Sequence, residues 1–173
     1  MGLLVVIASL LAACGGDDGM VAWRDLELTV PDGWVVFEEE DSRLSLANQA
    51  IGADVAEADR PDGDVVAVFL THRPGVTPGE WRSYIEEVGA TLEVDQPIEV
   101  GGVPATRLQF LTPGGDGSAT TRELVVVVPA REVELLAQPV PLPDDEQAPA
   151  TFDRALPTFD ELLDSVTWGA PLD

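Results

Sequence analysis

Two uninterrupted apolar runs constrain this chain most: Val65-Val66-Ala67-Val68-Phe69-Leu70 and Leu124-Val125-Val126-Val127-Val128. A strand with one face in water alternates apolar and polar residues, whereas a strand apolar at every position needs cover on both faces. The runs therefore predict central strands of a sheet with further layers on each side. With 173 residues and 45% hydrophobic residues, the chain suits one domain that buries roughly 70% of its extended surface.

Other segments carry weaker sheet patterns. Trp23 to Val30 alternates, with Leu26, Leu28 and Val30 on one face and Asp25, Glu27 and Thr29 on the other, and predicts a half-buried strand. Pro31-Asp32-Gly33 is turn chemistry. Trp34 to Phe37 starts a second strand, Glu38 to Asp41 reads as a solvated acidic loop, and Arg43 to Ala47 as a third strand. Thr91 to Val100 and Ala105 to Leu111 read as strands joined by a tight turn at Gly101-Gly102. Pro113 to Ser118 reads as another hairpin loop, Arg131 to Val140 as the last strand, and Gln138 to Pro149 as an exposed connector rich in Pro and acid.

Two helices are predicted. Thr77-Pro78-Gly79-Glu80 combines a Thr N-cap, Pro at the first helical position and Glu at the third, and Gly89 supplies the stop. Trp81, Tyr84, Ile85 and Val88 then fall on one face, as core rather than ligand box. Near the end, Phe152, Ala155, Leu156, Phe159, Leu162, Leu163 and Val166 form a second stripe. Pro157 interrupts it, so either the helix kinks there or a short helix precedes another. Trp168 follows as a packing lid.

The amino terminus carries a different signal. Gly2 to Ala13 is uncharged and short; as a helix it spans about 18 Å against a hydrocarbon core of about 30 Å. It fits the apolar region of a secretory signal peptide. No Lys or Arg precedes Arg24, so the positively charged start of such a peptide is missing, and Met1 reads as an internal or misassigned start. Leu11-Ala12-Ala13-Cys14 resembles the lipobox of bacterial lipoproteins, and Cys14 is the chain's only cysteine. That resemblance implies lipidation of Cys14, cleavage before it, and anchoring at the extracytoplasmic face of the cell membrane through palmitate-type acyl chains. Two or more chains give stable attachment. The implied organisation is a lipoprotein signal peptide over 1–13, a flexible tether over 14–22 and a domain over 23–170.

Charge excludes some partners. Nine basic residues, all Arg, face 32 acids, for a net charge of −23. Nucleic-acid binding runs on cations that neutralise phosphates, and anionic lipid head groups repel such a surface. The acidity reads either as a solvated surface or as complementarity to a basic partner or divalent cation. Glu38-Glu39-Glu40-Asp41 and the stretch with Asp59, Asp62 and Asp64 are acid-rich, but neither has the spacing of a calcium loop. Gly114-Gly115-Asp116-Gly117 lacks the trailing Lys and Ser or Thr of a phosphate loop. The single histidine, His72, reads as a surface or capping residue, and nothing pairs it with Cys14 as base and nucleophile. No catalytic, cofactor-binding or metal-binding residue is assigned, and no cofactor is expected.

This order of elements predicts an α+β fold, an antiparallel β-sheet with helices packed on it. Pro31-Asp32-Gly33-Trp34, Val100-Gly101-Gly102-Val103-Pro104-Ala105, and Phe159 through Leu162-Leu163 to Ser165-Val166 resemble the Mog1/PsbP-type fold, a style shared by actinobacterial LpqN-type lipoproteins. The resemblance implies an α/β/α sandwich that binds or supports something and has no active site of its own. The expected function is a non-enzymatic envelope binding or accessory module acting through contacts with an envelope protein partner. The alternative is a carrier or sensor of a small apolar or glycolipid ligand held between sheet and helix, lined by Trp81, Phe69 or Trp34. A hydrolase lacks a Gly-x-Ser-x-Gly or His-Glu-x-x-His motif.

Overall fold

A computed structural model describes residues 19–48, 66–113, 120–139 and 148–170. Both apolar runs are central strands. β5 (Val66–His72) and β8 (Thr121–Val128) flank β9 (Val133–Pro139) in the middle of a seven-stranded antiparallel sheet. The other members are β3 (Val35–Glu40), β4 (Arg43–Ala47), β6 (Thr91–Val100) and β7 (Val103–Thr112), and the order is β3-β4-β5-β9-β8-β7-β6. Two meanders meet at the β5–β9 ladder, where Phe69 lies opposite Leu136 and Thr71 opposite Glu134. The sheet is antiparallel throughout, with a helix on each face.

Helix α1 (Pro78–Glu87) covers one face, over Leu108 and Phe110 of β7 and Val125 and Val127 of β8. Its start is the predicted one: the Thr77 hydroxyl accepts from Glu80 N and the Glu80 carboxylate accepts from Thr77 N. Gly89 ends it with φ +69°, a conformation open to glycine. Helix α2 (Ala148–Ser165) covers the other face and buries Phe152, Phe159, Leu162 and Leu163 against Leu44, Leu46, Val68, Leu70, Leu124 and Val126. A second sheet, β1 (Met20–Trp23), β2 (Leu26–Thr29) and β10 (Thr167–Trp168), joins this larger core through Trp23, Leu26 and Leu28.

The structure departs from the sequence expectations in five places. Trp23 to Val30 is not one strand. It splits into β1 and β2 at a turn through Arg24, whose φ of +56° is left-handed, and β1 starts at Met20, inside the stretch read as tether. Glu38, Glu39 and Glu40 belong to β3 rather than to a loop. His72, read as a surface or capping residue past the apolar run, is the last residue of β5. The last strand, expected from Arg131, starts only at Val133 after a 3₁₀ turn over Pro129–Arg131, and it keeps Gln138 and Pro139. Finally, α2 is one continuous helix through Pro157, so of the two outcomes expected there, a short helix followed by another is not met. That residue is exposed, so the carbonyl it leaves without an N–H partner faces water rather than the core.

The acids in β3 have a structural consequence. β3 and β6 are the two edges of the seven-stranded sheet, where unpaired backbone groups invite pairing with other chains. β3 carries a bulge between Val36 and Glu38 followed by three acids. β6 carries a bulge between Leu92 and Val94, Pro97, and the acids Glu93, Asp95 and Glu99. Bulges, proline and like charges each oppose strand addition at these two edges.

Candidate functional site

The most built-up polar cluster lies where β5 ends and α1 begins. Arg73 follows β5; its N–H donates to Glu132 O at 2.7 Å, and its carbonyl accepts from Val76 N at 3.1 Å across a turn whose Gly75 has φ +75°. These bonds aim the guanidinium between two carboxylates. It donates to Glu80 on α1 at 2.9 Å and to Glu134 on β9 at 3.0 Å. Trp81 Nε1 donates to the same Glu134 oxygen at 2.8 Å. Arg73, Glu80, Trp81 and Tyr84 line an open cleft of about 170 Å³. Beside it, His72 Nε2 lies 3.5 Å from the Glu132 carboxylate.

Aromatic rings continue the cleft along the helix. Trp81 meets Tyr84 edge-on at 5.5 Å and Phe110 of β7 at 6.3 Å. Phe110 is fully buried, Trp81 half-buried, and Tyr84 is 47% exposed. The predicted stripe of α1 therefore divides: Ile85 is core, while Tyr84 faces outward. On the flank of α1, Arg82 donates two hydrogen bonds to Asp95 of β6, at 2.7 and 2.8 Å. Those hydrogen bonds hold the Asp95 carboxyl below its ordinary value. The folded state thus favours ionised Asp95, and the linked stabilisation is present above the unfolded pKa and lost as pH falls through the lowered folded one. In an NMR-monitored acid titration, Arg82→Gln is expected to move the Asp95 midpoint up toward the ordinary aspartate range; an unmoved midpoint would refute this assignment.

The ionisable groups of the cluster pair with one another. Glu80 and Glu134 share one guanidinium, and the His72 imidazole reaches only the Glu132 carboxylate among the described residues. The Ser83 hydroxyl donates to Gly79 O within the helix at 3.1 Å, and the buried Ser45 hydroxyl donates to Glu38 at 2.7 Å. Among the described residues, no group of three or more His, Cys, Asp or Glu is arranged to hold a metal. A second open cleft of about 290 Å³ is lined by Ala22, Trp23, Arg24, Glu39, Glu40 and Asp41. There Trp23 Nε1 donates to Glu40 O at 2.7 Å and Arg24 to Asp41 O at 3.1 Å, so the acidic run receives these side chains through its backbone.

Of the aromatics read as a ligand lining, Trp34 lies on the opposite sheet face from Trp81. Trp34 packs edge-on to Phe159 on the α2 side, at 5.8 Å. Phe69 pairs with Phe37 at 6.2 Å, opposite Leu136 in the ladder, and Trp81 joins the core under α1. The lipidation candidate Cys14, the acids Asp59, Asp62 and Asp64, and the glycine loop at 114–117 lie outside the described residues. Sequence reasoning passed over Arg73, which the β5–β9 register brings to Glu134, 61 residues away in the chain, and to neighbouring Glu132. The available signal was Glu134, an acid between Val133 and Leu135 inside an expected strand.

Comparison with known proteins identifies the fold. No protein-family model matches the chain, and no curated protein matches it. Among solved structures, it is similar to the Ran-binding protein Mog1p of Saccharomyces cerevisiae, with a TM-score of 0.55 at 14% identity over 83% of this chain and 90% of that one. A Mog1 mutant gives a TM-score of 0.57 at 14% identity over 87% and 95%. Cyanobacterial PsbP from Synechocystis sp. PCC 6803 aligns at 14% identity over 91% and 98%, with a TM-score of 0.43. The two Mog1 matches show the fold, which is α+β and Mog1/PsbP-like.

Proposed function

We propose that this chain is a lipid-anchored envelope protein, held at the extracytoplasmic face of the membrane through Cys14, that acts as a non-enzymatic binding module by contacting another protein. The observation that carries the binding reading is the cleft at α1. Exposed Tyr84 and half-buried Trp81 sit beside an arginine and acids, the residue types enriched where protein interfaces concentrate their energy. The blunted edges of the seven-stranded sheet favour such side-chain surfaces over strand addition at β3 or β6. The neighbour Mog1p is a Ran-binding protein, so this fold serves protein binding in that case.

The anchor rests on Leu11-Ala12-Ala13-Cys14 and the LpqN-type likeness. Cys14→Ser is expected to shift the protein from the membrane to the soluble fraction of fractionated cells, and native mass spectrometry of the wild type should show acyl mass on Cys14. Unchanged membrane retention of the variant, or an unmodified thiol, would sink the anchor.

A further inference from the structure

We propose that the outer face of α1 docks an arginine-bearing basic segment of a partner protein. The proposal rests on the interaction-module reading and adds the place and the chemistry of the contact. An aromatic chain runs outward from the core here, from buried Phe110 through Trp81 to Tyr84. Leu92 lies opposite Phe110 in the β6–β7 ladder, on the same sheet face. Tyr84 and Leu92, 47% and 39% exposed, are two of the four large apolar side chains most open to solvent among the described residues. An exposed apolar patch with a charged rim is the anatomy of a contact surface.

The rim sets the sign of the occupant. On α1, Glu80 lies four residues before Tyr84 and Glu87 three residues after it, so both flank the ring on one helix face. Arg73 holds Glu80, whereas Glu87 is exposed and meets no cation among the described residues. Six described arginines, Arg43, Arg73, Arg82, Arg107, Arg122 and Arg131, are already bound to acids of this chain. A second copy would bring the same net charge of −23, and like charges disfavour that contact.

A cationic polypeptide segment complements both ring and rim. Arginine suits them better than lysine, because a guanidinium stacks flat on an aromatic face while keeping its donors for carboxylates. The chain makes this pairing internally, with Arg131 lying 5.2 Å over the Trp168 ring while binding Asp25.

The test is an NMR titration of the full-length chain with the peptide acetyl-Gly-Arg-Gly-Arg-Gly-amide at low salt. Tyr84→Ala is expected to weaken binding about tenfold, the scale of a desolvated cation–aromatic contact, and Tyr84→Phe to keep it. Glu87→Gln should weaken binding severalfold. Glu161→Gln on α2, across the sheet and equal in charge change, should leave it within about twofold. No binding, an unchanged affinity for Tyr84→Ala, or equal losses for the two Glu variants would each overturn the proposal. A photo-crosslinking residue placed at 84 or at 161 in the native envelope separates this proposal from the broader reading. Capture of an arginine-bearing peptide from position 84 supports both. Capture from 161 alone overturns the docking surface and leaves the interaction module standing, and capture from neither overturns both.

Discussion

Phe159→Ala is expected to lower the free energy of unfolding by about 3–5 kcal/mol, the usual range for deleting a buried aromatic ring. Phe159 is 2% exposed. It meets Trp34 edge-on at 5.8 Å and Phe152 at 5.5 Å, so one ring joins α2 both to the segment entering β3 and to the helix's own first turns. Pro157, two residues earlier, has already removed one hydrogen bond from the helix ladder and costs about 3 kcal/mol in an ordinary helix interior. The helix is thus held by its buried stripe more than by its backbone. Urea denaturation of the variant measures the effect, and a loss below about 1 kcal/mol would show that α2 is secured by something else.

Arg131→Ala is expected to cost about as much, about 3–5 kcal/mol, because it strands a partner rather than opening a cavity. Arg131 donates to Asp25 at 2.7 Å and to Gly169 O at 3.0 Å, and covers the Trp168 ring. Trp168 in turn donates to Val100 O at 2.8 Å and lies against Gly101, where an added Cβ would fall 2.7 Å from the indole. This group ties the β1–β2 turn, the 3₁₀ turn at Pro129–Arg131, the carboxy-terminal strand and the β6–β7 hairpin. The Asp25 side chain is only 9% exposed, so removing its cation leaves a carboxylate nearly out of water. A thermal or urea double-mutant cycle checks the cause: Arg131→Ala/Asp25→Ala should regain part of the single-variant loss, and strictly additive losses would refute the coupling.

Much of the architecture was legible because its signals are local. The capping box of α1 spans four residues, and Gly101-Gly102 has both φ values positive, +55° and +76°, as a two-residue hairpin turn requires. Places that misled had local patterns open to two outcomes. Trp23 to Val30 alternates as well when folded back on itself at Arg24, and an acidic run reads as solvated whether it is a loop or an edge strand. The candidate site was less legible. Trp81 and Tyr84 read as core, and only the placement of α1 over β7 and β8 leaves Tyr84 outside while Ile85 goes in.

What the sequence by itself determined is the layered α+β form. Two strands apolar at every position demand cover on both faces, and two amphipathic helices are there to supply it, because burial of apolar area acts on any arrangement that satisfies the pattern. What only the tertiary structure decided is which distant residues meet. The Arg73 cluster needs β5 beside β9 in one register, and Arg131 reaches Asp25 across more than a hundred residues. Such meetings depend on strand order and register, which a hydrophobic pattern does not encode, and a polar pair gains its value only once the fold has taken both groups out of water.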